Sequence, residues 1–180
     1  MFQVLIHETH KFNGASEILD ILASIISGYA IPLRDEHIRF FNNIIIPLHK
    51  VQTNPMFFEQ LLRCTMLYLT KDRSLSVPLL EALLKYWPFA ATEKEMLFLT
   101  ELKEVLEVVD PKEMKHLVPK LFKRIIKCIG GENMHVCDRA MCFFENEYFL
   151  NIVKTYQDEV FPILVPKINE LADNHWQKLL

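Results

Sequence analysis

From Ala15 onward, apolar side chains return every three or four positions, and no stretch of strand length alternates with period two. Such spacing gathers apolar side chains on one stripe of a helix, and that stripe must be buried against other helices. Nine prolines and only four glycines (Gly14, Gly28 and the pair Gly130-Gly131) punctuate the pattern. A sandwich or barrel of strands needs turn glycines far more often. The chain therefore reads as all-α.

Residues 15–28 set the pattern. Ile18, Leu22 and Ile25 form one stripe, Ile21 and Ile26 flank it, and Gly28 stops it. A helix over 34–49 follows Pro32 and opens on Arg34, Asp35 and Glu36. Pro55 opens a helix over 55–70 with Phe57, Leu61, Cys64, Met66 and Leu69 on its inner face. Ser74 is placed to cap a helix over 74–87, which Trp87-Pro88 ends. Thr92-Glu93-Lys94-Glu95 has the form of a capping box for a helix over 93–109. Asp110-Pro111 reads as an N-cap with proline at the first helical position, starting a helix over 111–129. Further helices fit 133–143, 145–155 and 158–172, about nine in all. No low-complexity linker interrupts them, so residues 1–180 read as one domain.

A degenerate repeat runs through these helices. Val77-Pro78-Leu79-Leu80, Leu117-Val118-Pro119-Lys120-Leu121 and Leu164-Val165-Pro166-Lys167-Ile168 share an apolar-Pro step, as does Ile45-Ile46-Pro47-Leu48. Pro78, Pro119 and Pro162 are 41 and 43 residues apart, although Pro47 and Pro78 are only 31 apart. Spacings near 40 suit HEAT-type helix pairs with a proline in the first helix of each pair. The expected architecture is a right-handed α-solenoid of four to five HEAT-like helix pairs, with an irregular helical bundle as the rival. Phe2–Ile6 reads as the end of one helix and His175–Leu180 as the start of another. A stack without end caps is expected on that ground.

Net charge is −3, which argues against a general nucleic-acid binder. No apolar run approaches the roughly 18 residues of a membrane span, and the N-terminal residues lack the basic start of a signal peptide. Cys64, Cys128, Cys137 and Cys142 include no CxxC pair and lie in or beside apolar helical runs. They read as reduced thiols in or near the core, which places the chain in the cytoplasm or nucleus.

Catalytic signatures are missing: there is no GxGxxG, P-loop, HExxH or GxSxG. His7/Glu8/His10 and His135/Cys137 are too sparse for a metal site, and His135/Cys137 reads as a helix start that buries Cys137. No cofactor is implied. Glu101, Glu104, Glu107 and Asp110 read as a solvated acidic stripe. Lys112, Lys115, Lys120, Lys123, Arg124 and Lys127 form the one basic concentration. It is either an exposed face balancing that stripe or a docking patch for an acidic partner surface. Tyr148 in Asn146-Glu147-Tyr148, and the aromatics of Lys85-Tyr86-Trp87-Pro88, either pack between layers or anchor a partner.

Several blocks together resemble the B-prime regulatory subunits of protein phosphatase type 2A. They are Phe12–His37, Ile46-Pro-Leu-His-Lys50, Ala82-Leu-Leu-Lys-Tyr-Trp-Pro88, Lys94-Glu-Met-Leu-Phe-Leu99 and Asn146-Glu-Tyr148, with His175-Trp176 near the end. They come in the family's order and span nearly the whole chain, while 51–75 and 130–143 diverge. The resemblance implies a HEAT-like solenoid of about twice this length. Such a protein is no enzyme: it joins a scaffold subunit to a Ser/Thr phosphatase catalytic subunit. It selects substrates by binding short Leu-x-x-Ile-x-Glu peptides, often phosphorylated.

Carried over by position, the resemblance assigns peptide binding to Asp20, Ile21, Ile25, Arg34 and His37. Ile21 and Ile25 stand one turn apart and can floor a pocket for Leu or Ile. Arg34 and His37 stand three apart and can face a carboxylate or phosphate. Read from the residues alone, the two isoleucines are core. Asp20 and Arg34 replace the family's usual Glu and Lys. The resemblance also implies a second pocket wall, a His-Arg pair, a Tyr and an Arg upstream of these positions, which the 180 residues do not contain. The chain alone is therefore expected to bind such a peptide weakly or undetectably. A truncated paralogue acting as adaptor or competitor is the alternative to a full targeting subunit.

Overall fold

A computed structural model describes residues 14–51, 54–89 and 91–174. Phe2–Ile6, the His7/Glu8/His10 group and His175–Leu180 lie outside the described residues. Among the described residues every regular element is helical. Contacts divide the chain into two compact units, Met1–Trp87 and Pro88–Leu180.

In the first unit, α1 (Ala15–Ser27) packs chiefly on α4 (Phe58–Lys71). The buried face of α1 is Ala15, Leu19, Leu22, Ala23 and Ile26. The expected stripe was Ile18, Leu22 and Ile25; Ile18 is half-buried and Ile25 exposed. The isoleucines and leucines of this helix spread over nearly half of its circumference, a wider arc than one packed face, so hydrophobicity alone does not fix which part of it turns inward. The small residues Ala15 and Ala23 decide it, because they let α4 come close. Cys64 Sγ on α4 donates to the Leu19 carbonyl at 3.3 Å, and Lys71 Nζ donates to the Ser27 carbonyl at 3.0 Å. That lysine satisfies a terminal carbonyl and its charge complements the helix dipole. Gly14 precedes α1 at φ 100°, and its carbonyl accepts the first helical bond from Ile18 N at 3.1 Å. A Cβ at that φ is strained although the space beside it is open. Gly14→Ala is expected to destabilise the chain by about 1–2 kcal/mol, measured by urea unfolding.

After Tyr29–Arg34, α2 (Asp35–Phe40) runs through a π-helical stretch, Phe41–Ile45, into α3 (Ile46–Leu48). Phe41, Ile45 and Leu48 point into the core. The widened turns stand directly before Pro47, whose ring crowds the carbonyl four residues back. A short 3-10 turn, Asn54–Phe57, leads into α4. Of its expected inner face, Phe57, Leu61, Cys64 and Leu69 are buried and Met66 is half-buried; Phe58, Thr65 and Tyr68 complete it. The next helix begins two residues later than expected, at α5 (Ser76–Lys85). Ser74 is not its cap: Asp72 Oδ1 accepts from Ser74 N at 3.0 Å and Ser74 Oγ at 2.7 Å, closing a 3-10 turn first.

The second unit holds α6 (Thr92–Val108), α7 (Val118–Ile129), α8 (Met134–Met141), α9 (Glu147–Thr155) and α10 (Gln157–Asn174). α7 packs on α8 and α10, and α6 packs on α8 and α9. Gly130 lets α10 approach: a Cβ there would sit 3.0 Å from Leu171 Cδ2. The capping box does not form. Ala91 is the N-cap of α6, Thr92 Oγ1 accepts from Asn133 Nδ2 at 3.3 Å, and Cys128 Sγ donates to Glu95 Oε1 at 3.5 Å. Tertiary partners have taken both box side chains. Asp110 likewise closes only a local turn, accepting from Lys112 N at 2.9 Å, and α7 starts at Val118 with Pro119 in its first turn. Asn133 does cap α8 through His135 N and Val136 N, which buries Cys137 as expected. Cys64, Cys128 and Cys137 are buried free thiols, while Cys142 is exposed. Glu101 is fully buried, so the acidic stripe is only Glu104, Glu107 and Asp110.

Burial sets a pH signature for this unit. It pushes the Lys94 ammonium down to about 8 from 10.5. Between those values the unfolded chain binds more protons than the folded one, so stability rises with pH. Burial pushes the Cys128 and Cys137 thiols above 9.0. Above that pH the unfolded thiols ionise first and stability falls. Urea midpoints are therefore expected to climb from pH 8 to about 9 and then drop. Lys94→Met removes the climb and leaves the drop; an unchanged climb would refute the assignment.

Candidate functional site

Asp20, Ile21 and Ile25 are carried on α1, and all three are exposed. Ile21 is 63% exposed and Ile25 53% exposed, so the core reading of these two does not hold. They stand one turn apart on the face turned away from α4. Solvent-facing isoleucines on a helix whose other face is fully packed form a small apolar surface with no structural task. Asp20 Oδ1 lies 3.8 Å from Arg63 Nη1 on α4, an exposed pair worth at most about 1 kcal/mol.

Arg34 and His37 flank the first turn of α2. Arg34 is open to solvent, whereas His37 is held firmly. Its ring stacks on Tyr29 with centroids 3.8 Å apart and planes within 3°. Tyr29 in turn meets the buried ring of Tyr68 edge-on at 6.0 Å. Burial raises the Tyr68 hydroxyl above its ordinary value and keeps it neutral. The core of the first unit thus fixes the imidazole through two aromatic contacts. His37 Nδ1 is buried and has no hydrogen-bond partner among the described residues. Nε2 lies on the other edge of the ring, 3.8 Å from Glu36 Oε1, which also lies 3.2 Å from Arg34 Nη1. One carboxylate therefore lies beside both the guanidinium and the imidazole. A ligand carboxylate or phosphate at this point meets a guanidinium and an imidazole edge in a charge-assisted pattern. Sequence reasoning identified Arg34 and His37 but not Glu36, Tyr29 or Arg63. Glu36 was readable from its place between the two; the Tyr29–His37 stack was not, because the turn at Pro32 separates them.

The basic residues lie in the second unit. Lys112, Lys115, Lys120, Lys123 and Lys127 are exposed and Arg124 is half-buried. Lys115 Nζ reaches Glu159 Oε1 at 3.6 Å. Tyr148, 54% exposed, does not join them. It borders a hollow of about 480 Å³ with Leu99, Lys103, Arg139, Cys142 and Asn146, which none of the six basic residues lines. Asn146 caps α9 through Phe149 N at 3.0 Å and donates to Glu107 Oε1 at 3.0 Å. Tyr148 is thus held outward at the start of a capped helix, whereas Trp87 is buried as packing. Among the described residues no three His, Cys, Asp or Glu side chains come together as a metal site, and no helix is long and apolar enough to cross a membrane.

Comparison with known proteins bears on this arrangement. The family model described as protein phosphatase 2A regulatory B subunit (B56 family) matches residues 1–180. The mouse serine/threonine-protein phosphatase 2A 56 kDa regulatory subunit alpha isoform is 37% identical over 180 residues, all of this chain and 37% of that protein. The human alpha isoform is 38% identical over 176 residues, 98% of this chain and 36% of that protein. The Caenorhabditis elegans regulatory subunit pptr-1 is 37% identical over 180 residues, all of this chain and 33% of that protein. The chain spans about a third of the length of these curated relatives. It belongs to the B56 family of protein phosphatase 2A regulatory subunits, whose members regulate the phosphatase and do not themselves catalyse.

Proposed function

We propose that this chain is a substrate-targeting part of a protein phosphatase 2A assembly, a right-handed HEAT-like helical stack that works in the cytoplasm and nucleus. In this reading it holds the scaffold and catalytic subunits and receives short Leu-x-x-Ile-x-Glu peptides along α1 and the start of α2. The observation that carries the reading is the exposure of two large apolar side chains, Ile21 and Ile25, on the outer face of a helix whose inner face is packed. Apolar peptide side chains cover the isoleucines, and the peptide's acid meets Arg34 and His37, with Asp20 at the edge.

Assembly is tested by capture of tagged chain from cell extract, with scaffold and catalytic subunit expected in the bound fraction; recovery of neither refutes it. Peptide binding is tested by NMR titration. At millimolar peptide, shifts are expected at Ile21, Ile25, Arg34 and His37, weak because these residues form a single shallow face on α1 and the start of α2. Ile25→Asp should abolish the shifts and cost no more than about 1 kcal/mol in unfolding, the penalty of an acid in the last turn of a helix. Shifts that persist in Ile25→Asp would sink the pocket.

The shared Glu36 carboxylate favours a second reading, in which the chain is an adaptor or competitor without a working pocket. Glu36 already lies against the guanidinium and the imidazole that the peptide's acid would need. Phosphatase activity toward a Leu-x-x-Ile-x-Glu substrate separates the two: it rises with added chain for a targeting subunit and falls for a competitor.

A further inference from the structure

Phe89 is a large aromatic side chain left 56% exposed at the entrance to the second unit. Two cations from α7 lie against it: the Arg124 guanidinium is 4.4 Å and the Lys127 ammonium 4.3 Å from the ring centroid. Both are within cation–π range, so the ring holds two like charges close together. Lys120 and Lys123 continue the row. Positions 120, 123, 124 and 127 follow the i, i+3, i+4, i+7 spacing of one helical face, opposite the buried Leu121, Phe122, Ile125 and Ile129. Among the described residues Lys120, Lys123 and Lys127 form no ion pair.

Like charges at i, i+4 destabilise a helix by a few tenths of a kcal/mol each. Glu95 offsets Arg124, but among the described residues no carboxylate is paired with Lys120, Lys123 or Lys127. An anion relieves that repulsion. The row spans about 10 Å of helix, the length of roughly three extended peptide residues. A polynucleotide would run well past it onto a chain whose net charge is −3. The apolar face of Phe89 adds an anchor for one non-polar side chain beside the charges.

We propose that Phe89 with the Lys120, Lys123, Arg124 and Lys127 face of α7 binds a carboxylate-rich peptide segment of a partner protein, its acids on the lysines and one apolar side chain on the ring. None of these residues belongs to the α1–α2 set. The test is fluorescence anisotropy with the full chain and a ten-residue Glu/Asp peptide carrying one Leu. The double variant K123E/K127E is expected to weaken binding about tenfold or more, and binding should weaken as salt rises. Phe89→Ala should weaken it less and leave the salt dependence in place. Melting curves confirm that these surface variants fold; should K123E/K127E not fold, K120E/K123E takes its place. The proposal is overturned if the unaltered chain does not bind at millimolar peptide. It is also overturned if charge reversal leaves affinity unchanged, or if single-stranded RNA of equal charge binds more tightly and displaces the peptide.

Discussion

Phe149→Ala is expected to lower the unfolding free energy of residues 88–180 by about 3–5 kcal/mol, read as a fall in the urea midpoint by circular dichroism. Phe149 is fully buried on α9 and meets three other rings: Phe122 at 5.0 Å, Phe143 at 5.4 Å and Phe144 at 5.4 Å. The contacts to Phe143 and Phe144 are edge-on, at 71° and 83°. Such pairs add about 0.5–1.5 kcal/mol each beyond the apolar area they bury. The rings come from α7, the 3-10 turn Cys142–Glu145 and α9, so the cavity left by alanine lies where three elements meet and none can collapse alone. A domain stability of about 5–15 kcal/mol leaves little margin after that loss. Phe149→Leu should cost clearly less, because most of the volume stays; equal losses for the two variants would show that the ring cluster is not the cause.

The helices were legible because their signal is local. Period and punctuation placed α1, α4, α6 and α8–α10 to within a few residues. Helix starts were less legible. Thr92, Asp110 and Ser74 each carry a side chain suited to capping, yet each is engaged otherwise: Thr92 by Asn133 Nδ2, Asp110 in its own turn, and Ser74 as donor to Asp72. The first of these partners is 41 residues away, beyond any window that local reasoning can scan. The facing of α1 failed for a related reason: alanines at 15 and 23, which decide how close α4 comes, contribute little to an apolar pattern. Of the candidate site, Ile21, Ile25, Arg34 and His37 were identified through family blocks, since an exposed isoleucine and a buried one look alike in sequence. The aromatic support of His37 was invisible because Tyr68 lies 31 residues further along the chain and meets His37 only through Tyr29.

That support makes Tyr68 the residue through which the core of the first unit and its candidate site are coupled. Tyr68→Ala is expected to cost about 3–4 kcal/mol in urea unfolding, as for other large aromatics truncated in a core. The ring is fully buried and also packs on Phe41 at 5.0 Å. A second effect should be visible in the folded protein. Without the edge of Tyr68, Tyr29 loses its backing, and the Tyr29–His37 stack loses the contact that holds it against the core. The His37 ring protons, shifted by stacking on Tyr29 in the unaltered chain, should move toward unstacked values. The peptide-induced shift at His37 should then shrink, while those at Ile21 and Ile25 persist, because Cys64 and Lys71 hold α1 on α4 through Leu19 and Ser27. Tyr68→Phe provides the control: it keeps the ring and its contacts and removes only a hydroxyl, so its stability should stay within about 1 kcal/mol and its His37 signals near those of the unaltered chain. If Tyr68→Ala lowers stability but leaves the His37 resonances in place, the imidazole is held by the backbone at Pro32–Asp35 and not by the aromatic chain from the core.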